Sequence, residues 1–101
     1  MNEAPDTLII GGVVLNPWKN TVKVLSSDRT VTLTMNEFRI FSVIVKQEGQ
    51  FIQRPEILKQ IESGHVTERT VDAHICYLRK KLPEAMIISV SNKGYRFGGT
   101  T

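Results

Sequence analysis

The stretch that decides the fold is Glu68-Arg69-Thr70-Val71-Asp72-Ala73-His74-Ile75-Cys76-Tyr77-Leu78-Arg79-Lys80-Lys81-Leu82. Its apolar residues recur at the period of a helix, at Val71, Ile75, Leu78 and Leu82. Thr67 precedes the stretch as a favourable N-cap, and Pro83 follows it, where a helix cannot continue. The pattern therefore predicts one helix over residues 67–82 that buries a narrow stripe.

The face opposite this stripe is polar and basic. At about 100° per residue it carries Arg69, Ala73, Cys76, Tyr77 and Lys80, while Thr70, His74 and Lys81 flank one side and Asp72 and Arg79 the other. A single helix fits the major groove of DNA, where base edges present distinct donors and acceptors. An amphipathic helix whose solvated face happens to be basic would show the same pattern, so periodicity alone leaves both interpretations open.

The rest of the chain predicts a definite order of elements. Four short apolar segments separated by turns, at 8–10, 13–15, 22–24 and 31–33, indicate an antiparallel meander. Thr34 and Glu37 have the spacing of a capping box, with Leu33 and Phe38 as a hydrophobic staple, and this first helix should end at Glu48-Gly49. A second helix is expected from Pro55 to Ser63-Gly64. A hairpin around residues 91–94 should join strands at 86–90 and 95–97.

Composition fits one small globular domain. The chain has 101 residues with 13 Lys or Arg and 10 Asp or Glu, a formal net charge of +3. We expect residues 1–7 to be a tail or linker remnant and residues 8–101 to be the domain. All of the net charge lies in residues 67–101, which suggests a polyanionic partner. No apolar run reaches the roughly 18 residues of a membrane span, so no membrane is expected in this chain.

Few residues indicate any other chemistry. The single Cys76 excludes an internal disulfide and fits a reducing cytoplasm. His74 cannot converge with Asp72 or Cys76, since residues two apart on a helix point in different directions. Neither a phosphate loop nor a paired-carboxylate arrangement occurs, so we expect no enzyme, cofactor or metal. Trp18 is expected to pack against the sheet, and Phe38, Phe41 and Phe51 are expected in the core.

Several motifs resemble one family in the same order. Glu68 to Ile75, Leu78 to Leu82 and Lys93-Gly94-Tyr95-Arg96-Phe97 strongly resemble the OmpR/PhoB winged-helix family, the DNA-binding effector domains of bacterial response regulators. Leu33-Thr34 with Glu37-Phe38, and Arg54 with Leu58, match its earlier signatures. The resemblance covers about residues 8–97. It implies an α+β winged helix-turn-helix with a four-stranded antiparallel sheet, three helices and a C-terminal hairpin wing.

The resemblance also assigns a role to each site residue. It implies that residues 67–82 form the recognition helix and residues 87–97 the wing, whose tip lies in or beside the minor groove. Phosphate contacts are implied for Arg69, Thr70, His74 and Arg79, and base-facing positions for Asp72, Ala73, Cys76 and Tyr77. Lys80 lies on the same exposed face, and Ser91, Asn92 and Lys93 form the wing tip.

This chain departs from the family pattern at three places. Cys76-Tyr77 replaces the usual basic or polar pair, and Tyr77 could contact a thymine methyl or a phosphate instead. Ser91-Asn92 replaces the usual Arg-Gly, which removes the groove arginine, and Lys93 partly substitutes for it. The connection between the second and third helices has Glu62 where relatives have Trp. That loop contacts RNA polymerase in some relatives.

The sequence thus supports two functions. The first is sequence-specific binding of double-stranded DNA, regulating bacterial transcription in the cytoplasm as part of a two-component system. The resemblance implies a homodimer on DNA and a receiver domain in the full-length protein. The alternative is a winged-helix module that binds protein, for RNA polymerase contact or self-association, without reading DNA. The concentration of charge in residues 67–101 favours the first.

Overall fold

The computed structural model describes residues 7–61 and 66–100. Within them, four strands precede three helices and a final hairpin, as the sequence predicts. The elements are β1 (Leu8–Ile10), β2 (Val13–Asn16), β3 (Thr21–Val24), β4 (Arg29–Thr32), α1 (Met35–Lys46), α2 (Arg54–Ile61), α3 (Glu68–Lys81), β5 (Ala85–Val90) and β6 (Gly94–Thr100). The predictions for residues 1–6, for Glu62 and for Ser63-Gly64 lie outside the described residues.

The four N-terminal strands form one antiparallel sheet in the order β1-β2-β3-β4. Alternate residues of the two central strands, Val13 and Leu15 in β2 and Val22 and Val24 in β3, are buried and belong to the hydrophobic core. The last strand begins at Arg29, two residues earlier than predicted. Leu33 instead leaves the sheet and is buried just ahead of α1, with its amide donating to the Asn20 carbonyl at 2.8 Å.

The prediction that Trp18 packs against the sheet is wrong, because 68% of its surface is exposed. The Asn16 side-chain oxygen accepts hydrogen bonds from the amides of Trp18 and Lys19 at 3.0 and 3.3 Å, which closes a local turn. Asn16 and Thr21 are the last paired residues of β2 and β3. Trp18 therefore lies in the turn beyond the sheet, where no inward face is available to it.

Helix α1 lies at the centre of the domain. The predicted capping box is present: the Glu37 amide donates to the Thr34 hydroxyl at 3.2 Å, and the Thr34 amide donates to the Glu37 carboxylate at 3.0 Å. Ile40, Phe41, Ile44 and Val45 are fully buried. The helix packs against α2, α3 and β6, which explains why it is apolar on most sides.

The second and third helices each bury one apolar stripe, and that of the third helix is the stripe that the sequence predicts. Ile57 and Ile61 of α2 are buried, and so are Val71, Ile75, Leu78 and Leu82 along α3. The two helices are consecutive and in contact, as in a helix-turn-helix. Phe38 and Phe41 are buried as expected. Phe51 is only half-buried and lies outside the core, which corrects the prediction for that ring.

The C-terminal hairpin is a wing with a third backbone segment beside it. Ile52, between α1 and α2, exchanges two backbone hydrogen bonds with Tyr95 of β6, at 2.8 and 2.9 Å. Gly94 next to Tyr95 has a φ of +97°, and a Cβ there would collide with the Ile52 carbonyl oxygen. Glycine is therefore required where β6 begins, and the close approach fixes the wing to the start of α2.

Two ion pairs tie the end of α3 to the rest of the domain. The Arg29 guanidinium binds both oxygens of Glu84 at 2.9 Å and also donates to the Lys81 carbonyl at 2.8 Å. Lys81 binds the buried Glu37 carboxylate at 2.7 Å. Burial would raise the pKa of Glu37, but the hydrogen bonds from Lys81 and the Thr34 backbone outweigh it, so this pKa is lowered.

We predict that the Arg29–Glu84 pair makes stability depend on acid pH. The hydrogen bond from Arg29 lowers the pKa of Glu84 from 4.5 to about 2. Because the pKa of Glu84 is lower in the folded chain than in the unfolded chain, the ionised carboxylate stabilises the fold at pH values above 4.5. This contribution is lost as the pH falls from 4.5 towards 2. Glu84→Gln should therefore be less stable at pH 7 and lose less stability over that interval than the parent, measured by urea unfolding.

The matched control is Glu48→Gln. Glu48 is exposed and forms no salt bridge within the described part of the chain, so its substitution should leave the pH profile of the parent intact. A Glu84→Gln variant that follows the parent at every pH would contradict the assignment.

Candidate nucleic-acid interface

The start of α3 is fixed by two threonines. Thr67 is the N-cap that the sequence predicts, and its hydroxyl accepts from the Thr70 amide at 3.4 Å. The Thr70 hydroxyl in turn accepts from the Thr67 amide at 2.7 Å and lies 2.9 Å from the Thr67 carbonyl. The two threonines therefore form a capping box in which each hydroxyl accepts a hydrogen bond from the backbone amide of the other residue. The Thr70 hydroxyl is already engaged within the helix, at a position predicted to contact phosphate.

The predicted outer face of α3 is exposed along its whole length. Its members are all exposed, namely Arg69, Ala73, Cys76, Tyr77 and Lys80. Tyr77 is the most prominent apolar surface among them, with 52% of its area exposed. The structure thus presents on one side the residues that the helical wheel grouped together, whereas the apolar stripe points into the core.

His74 lies beside this face and is half-buried. Its Nδ1 is 2.6 Å from the Thr70 carbonyl oxygen one turn earlier. Because a carbonyl oxygen only accepts, Nδ1 carries the proton, and this fixes the orientation of the ring. Nε2 has no hydrogen-bond partner among residues 7–61 and 66–100, so it is the nitrogen left for an external group.

Asp72, on the exposed flank of α3, has two partners within the domain. Its Oδ2 pairs with Arg54 of α2 at 2.7 Å, and its Oδ1 accepts a hydrogen bond from the Tyr95 hydroxyl of β6. One carboxylate therefore connects both helices of the helix-turn-helix and the wing. Asp72 is predicted to face the bases, but in the structure both of its oxygens are occupied by partners within the domain.

Arg79 makes a second connection from α3 to the wing. Its guanidinium donates to the Ile87 carbonyl at 2.8 Å and to the Ser89 hydroxyl at 3.3 Å, both in β5. These partners are neutral, so the positive charge of Arg79 is held in place without being cancelled. A fixed, uncancelled guanidinium beside the exposed face suits the predicted phosphate contact.

The wing tip consists of Ser91, Asn92 and Lys93, all exposed. Asn92 has a φ of +70°, and the Lys93 amide closes the turn on the Val90 carbonyl at 3.0 Å. The Gln53 side chain donates to the Asn92 carbonyl at 3.2 Å, which connects the tip to the start of α2. The Lys93 ammonium lies 5.7 Å from the centre of the Phe51 ring.

An open cleft of about 510 Å³ separates the wing from the start of α3. Its lining is mostly polar and includes Arg54, Asp72, Ser91, Asn92 and Tyr95. The cleft therefore brings together the predicted recognition helix and wing tip, which are about 20 residues apart in sequence. Its one basic lining residue, Arg54, is paired with Asp72, and Glu68 lies on the same side, so the unpaired cations of the site lie outside the cleft.

Internal ion pairs leave more positive charge on this surface than the formal total suggests. Asp72 and Glu84 are paired with Arg54 and Arg29, which come from outside residues 67–100. Of the cations in that segment, only Lys81 is in a salt bridge within the described part of the chain. Among the described residues of this segment, one acid, Glu68, and five cations are outside any salt bridge, the cations being Arg69, Arg79, Lys80, Lys93 and Arg96.

The structure adds three residues that sequence reasoning did not place at the site. Arg54 reaches it through Asp72, Gln53 through the Asn92 carbonyl, and Arg96 through the Phe51 ring at 5.6 Å. The sequence carried a signal for Arg54 and Arg96, which both lie in motifs that resemble the family, but none for Gln53. The contacts of Gln53 and Arg96 depend on the pairing of Ile52 with Tyr95, which no local pattern indicates.

The fold and the exposed helix define a winged helix-turn-helix domain of the α+β class. A family described as "Transcriptional regulatory protein, C terminal" matches residues 28–97, and the chain belongs to this family. The phosphate regulon transcriptional regulatory protein PhoB of Pseudomonas aeruginosa is 32% identical over 101 residues, which cover 95% of this chain and 42% of that protein. The chain spans less than half the length of the curated relatives it matches.

Solved structures of similar domains agree with this assignment. The DNA-binding domain of the response regulator AdeR, solved in complex with an intercistronic region, superimposes with a TM-score of 0.75 at 28% identity over 91% of this chain and 99% of that chain. The Klebsiella pneumoniae RstA DNA-binding domain, solved with the RstA box, has a TM-score of 0.72 at 28% identity over 91% and 96%.

Two further observations concern residues 7–61 and 66–100. They include no helix that combines the length and the apolar character required to cross a membrane. In the same residues, no three His, Cys, Asp or Glu side chains are grouped so that they could hold a metal ion.

We predict that Asp72 contributes to the raised pKa of Tyr95. Burial, and then the hydrogen bond to Asp72, raise the pKa of Tyr95 from 10 to about 12. Asp72→Asn removes the charge and keeps an acceptor, so this pKa should fall while burial holds it above 10. Titration of the tyrosinate absorbance in a Tyr77→Phe background isolates Tyr95, since the chain has two tyrosines.

The same variant should lower the free energy of unfolding by about 1 kcal/mol, because the Arg54 pair is half exposed and one hydrogen bond is weakened. Tyr95→Phe, which removes the hydrogen bond but leaves the Arg54–Asp72 ion pair, provides the matched comparison. An unchanged Tyr95 pKa in Asp72→Asn would contradict the role of the carboxylate.

Proposed function

We propose that this domain binds double-stranded DNA in a sequence-specific manner and regulates transcription. The observation that carries the proposal is the distribution of paired and unpaired charge. Arg29, Arg54 and Lys81 are in ion pairs inside the domain, whereas Arg69 and Lys80 on the outer face of α3 have no such partner in the described residues. Uncompensated cations on an exposed helix suit a phosphate backbone.

The dimensions of the helix agree with this function. Helix α3 has 14 residues and is therefore about 21 Å long. Its outer face carries small or planar side chains, Ala73, Cys76 and Tyr77, between the basic residues at its two ends. A helix of this kind enters the major groove so that the central residues approach the bases while the terminal cations reach the phosphates.

The site residues then divide by role. We propose that Arg69, Thr70, His74, Arg79 and Lys80 contact the backbone, with His74 using Nε2. Ala73, Cys76 and Tyr77 face the bases. Ser91, Asn92 and Lys93 approach the adjacent minor groove. We propose that Asp72 acts indirectly, because its carboxylate holds Arg54 and Tyr95 in place.

The relatives support the same function and suggest a wider context. AdeR and RstA are DNA-binding domains solved with DNA, and the PhoB relative is a transcriptional regulator. We propose that residues 8–101 form an effector domain which works in the bacterial cytoplasm, pairs with a second copy on DNA and has no enzymatic activity. A receiver domain in the full-length protein and a contact with RNA polymerase belong to the same proposal.

Duplex binding should weaken steeply with salt. Each neutralised phosphate contributes about −0.9 to the slope of log affinity against log salt concentration. Arg69→Ala should reduce the magnitude of this slope by about 1 and weaken all sequences to a similar extent. The measurement is fluorescence anisotropy with a labelled duplex at several salt concentrations.

Lys19→Ala is the matched control for Arg69→Ala, because Lys19 is an exposed cation in the turn that joins β2 and β3, outside α3 and the wing. It should bind as the parent does. A parent whose binding does not respond to salt would refute duplex binding through these cations and favour the protein-interaction alternative.

Tyr77 should contribute to sequence preference. If it faces the bases, Tyr77→Ala should change the sites selected from random duplex DNA and cost about 1–3 kcal/mol of discrimination at one base pair. Tyr77→Phe keeps the ring and removes the hydroxyl, so it separates an apolar contact from a hydrogen bond. Selection of the same sites with the same preferences by Tyr77→Ala would show that this residue does not read bases.

A further inference from the structure

Two cationic side chains of the wing lie over one aromatic ring, that of Phe51. The Lys93 ammonium lies 5.7 Å from the centre of the Phe51 ring, and the Arg96 guanidinium carbon lies 5.6 Å from it. Both distances are within the range of a cation–π interaction. Phe51 is half-buried, so the ring is held by the protein while one part of it remains accessible.

The backbone explains why these three residues meet. Ile52 pairs with Tyr95, so in antiparallel register Phe51 lies opposite Arg96, across the edge of the wing. Gly94 permits the close approach of the two backbone segments. The turn that follows Val90 brings Lys93 back towards the same ring. The arrangement therefore depends on the close contact that fixes the wing to the start of α2.

The charges of this pair are not compensated within the domain. Neither Lys93 nor Arg96 is in a salt bridge among residues 7–61 and 66–100. Their charges are at most about 11 Å apart, since both lie near one ring centre, and this is close to the screening length at about 0.1 M salt. An anion bound beside the ring can therefore meet two cations that form no salt bridge in the described residues.

We infer that Phe51 is a positioning residue which holds Lys93 and Arg96 as a paired contact for DNA backbone phosphates beside the wing. The inference rests on the proposed function and deepens it. The ring restricts two long side chains before DNA arrives, so less conformational freedom is lost on binding. It also gives the wing a cationic contact although Ser91 and Asn92 at its tip are uncharged.

The first test compares Phe51→Leu with Phe51→Trp. Leucine keeps an apolar side chain but has no π face, so duplex affinity should fall about two- to fivefold, in line with the strength of an exposed cation–π contact. Tryptophan retains the π face and should bind within about twofold of the parent. Thermal unfolding of both variants checks that the domain remains folded at the assay temperature.

A second test distinguishes a positioning role of Phe51 from a merely structural one by repeating the substitution in a chain that lacks both cations. In a Lys93→Ala/Arg96→Ala chain, Phe51→Leu should no longer alter duplex affinity, because the ring has no cations left to position. Equal losses in both backgrounds would overturn the inference, and so would parent-like binding by Phe51→Leu in the unmodified background.

A second measurement does not depend on DNA. In the free protein, side-chain protons of Lys93 and Arg96 that lie over the ring should show upfield NMR shifts, and Phe51→Leu should abolish them. Absence of these shifts in the parent would overturn the positioning role even if the domain binds DNA. A parent that shows the shifts but binds no duplex would refute the proposed function and the phosphate role while leaving the cation–ring contact supported.

Discussion

The buried carboxylate of Glu37 is the contact on which the rest of the domain depends. It caps the start of α1 through the Thr34 amide and binds Lys81 at the end of α3, so one side chain joins the central helix to the exposed one. Only 4% of the Glu37 side chain is exposed, and a buried charge is tolerated only when it is paired and hydrogen-bonded. Both requirements are met here, which fixes the position of α3 against the core.

The polar residues of α3 serve two purposes, and the structure separates them by helix face. Asp72, Arg79 and Lys81 point towards the wing, α2 or α1 and form internal contacts. Residues such as Arg69 and Lys80 have no such contacts in the described residues and remain for an external partner. The helix is therefore held at several points by its flanks, while its outer face forms no side-chain hydrogen bond or salt bridge within the described residues.

The sequence predicted those parts of the fold that local chemistry determines. The capping box of Thr34 and Glu37 and the apolar stripe of α3 depend on residues three or four apart, and both are confirmed. Trp18 was misplaced because the side chain of Asn16, and not strand alternation, determines the shape of its turn. The members of the outer face of α3 were found because exposure on a helix follows from its period alone.

Contacts between distant residues could not be predicted in this way. Asp72 meets Arg54 and Tyr95, which are 18 and 23 residues away, and periodicity gives no information on such partners. The helical wheel correctly placed Asp72 on a flank, but a wheel cannot show that both carboxylate oxygens are occupied. Phe51 was assigned to the core for a similar reason, since its pairing with the wing arises only when Ile52 meets Tyr95.

Internal pairing also changes what the net charge of the chain means. An ion pair removes one charge of each sign, so it leaves the total of +3 unchanged but moves the uncompensated charge. Arg29 and Arg54 come from the neutral first two-thirds of the chain and cancel two acids of the α3–wing segment, whereas only Glu37 cancels a cation there. Arg29 and Arg54 thus neutralise Glu84 and Asp72, two acids of the α3–wing segment. The field of the exposed surface is therefore more positive than composition alone indicates, and it acts where a polyanion would approach.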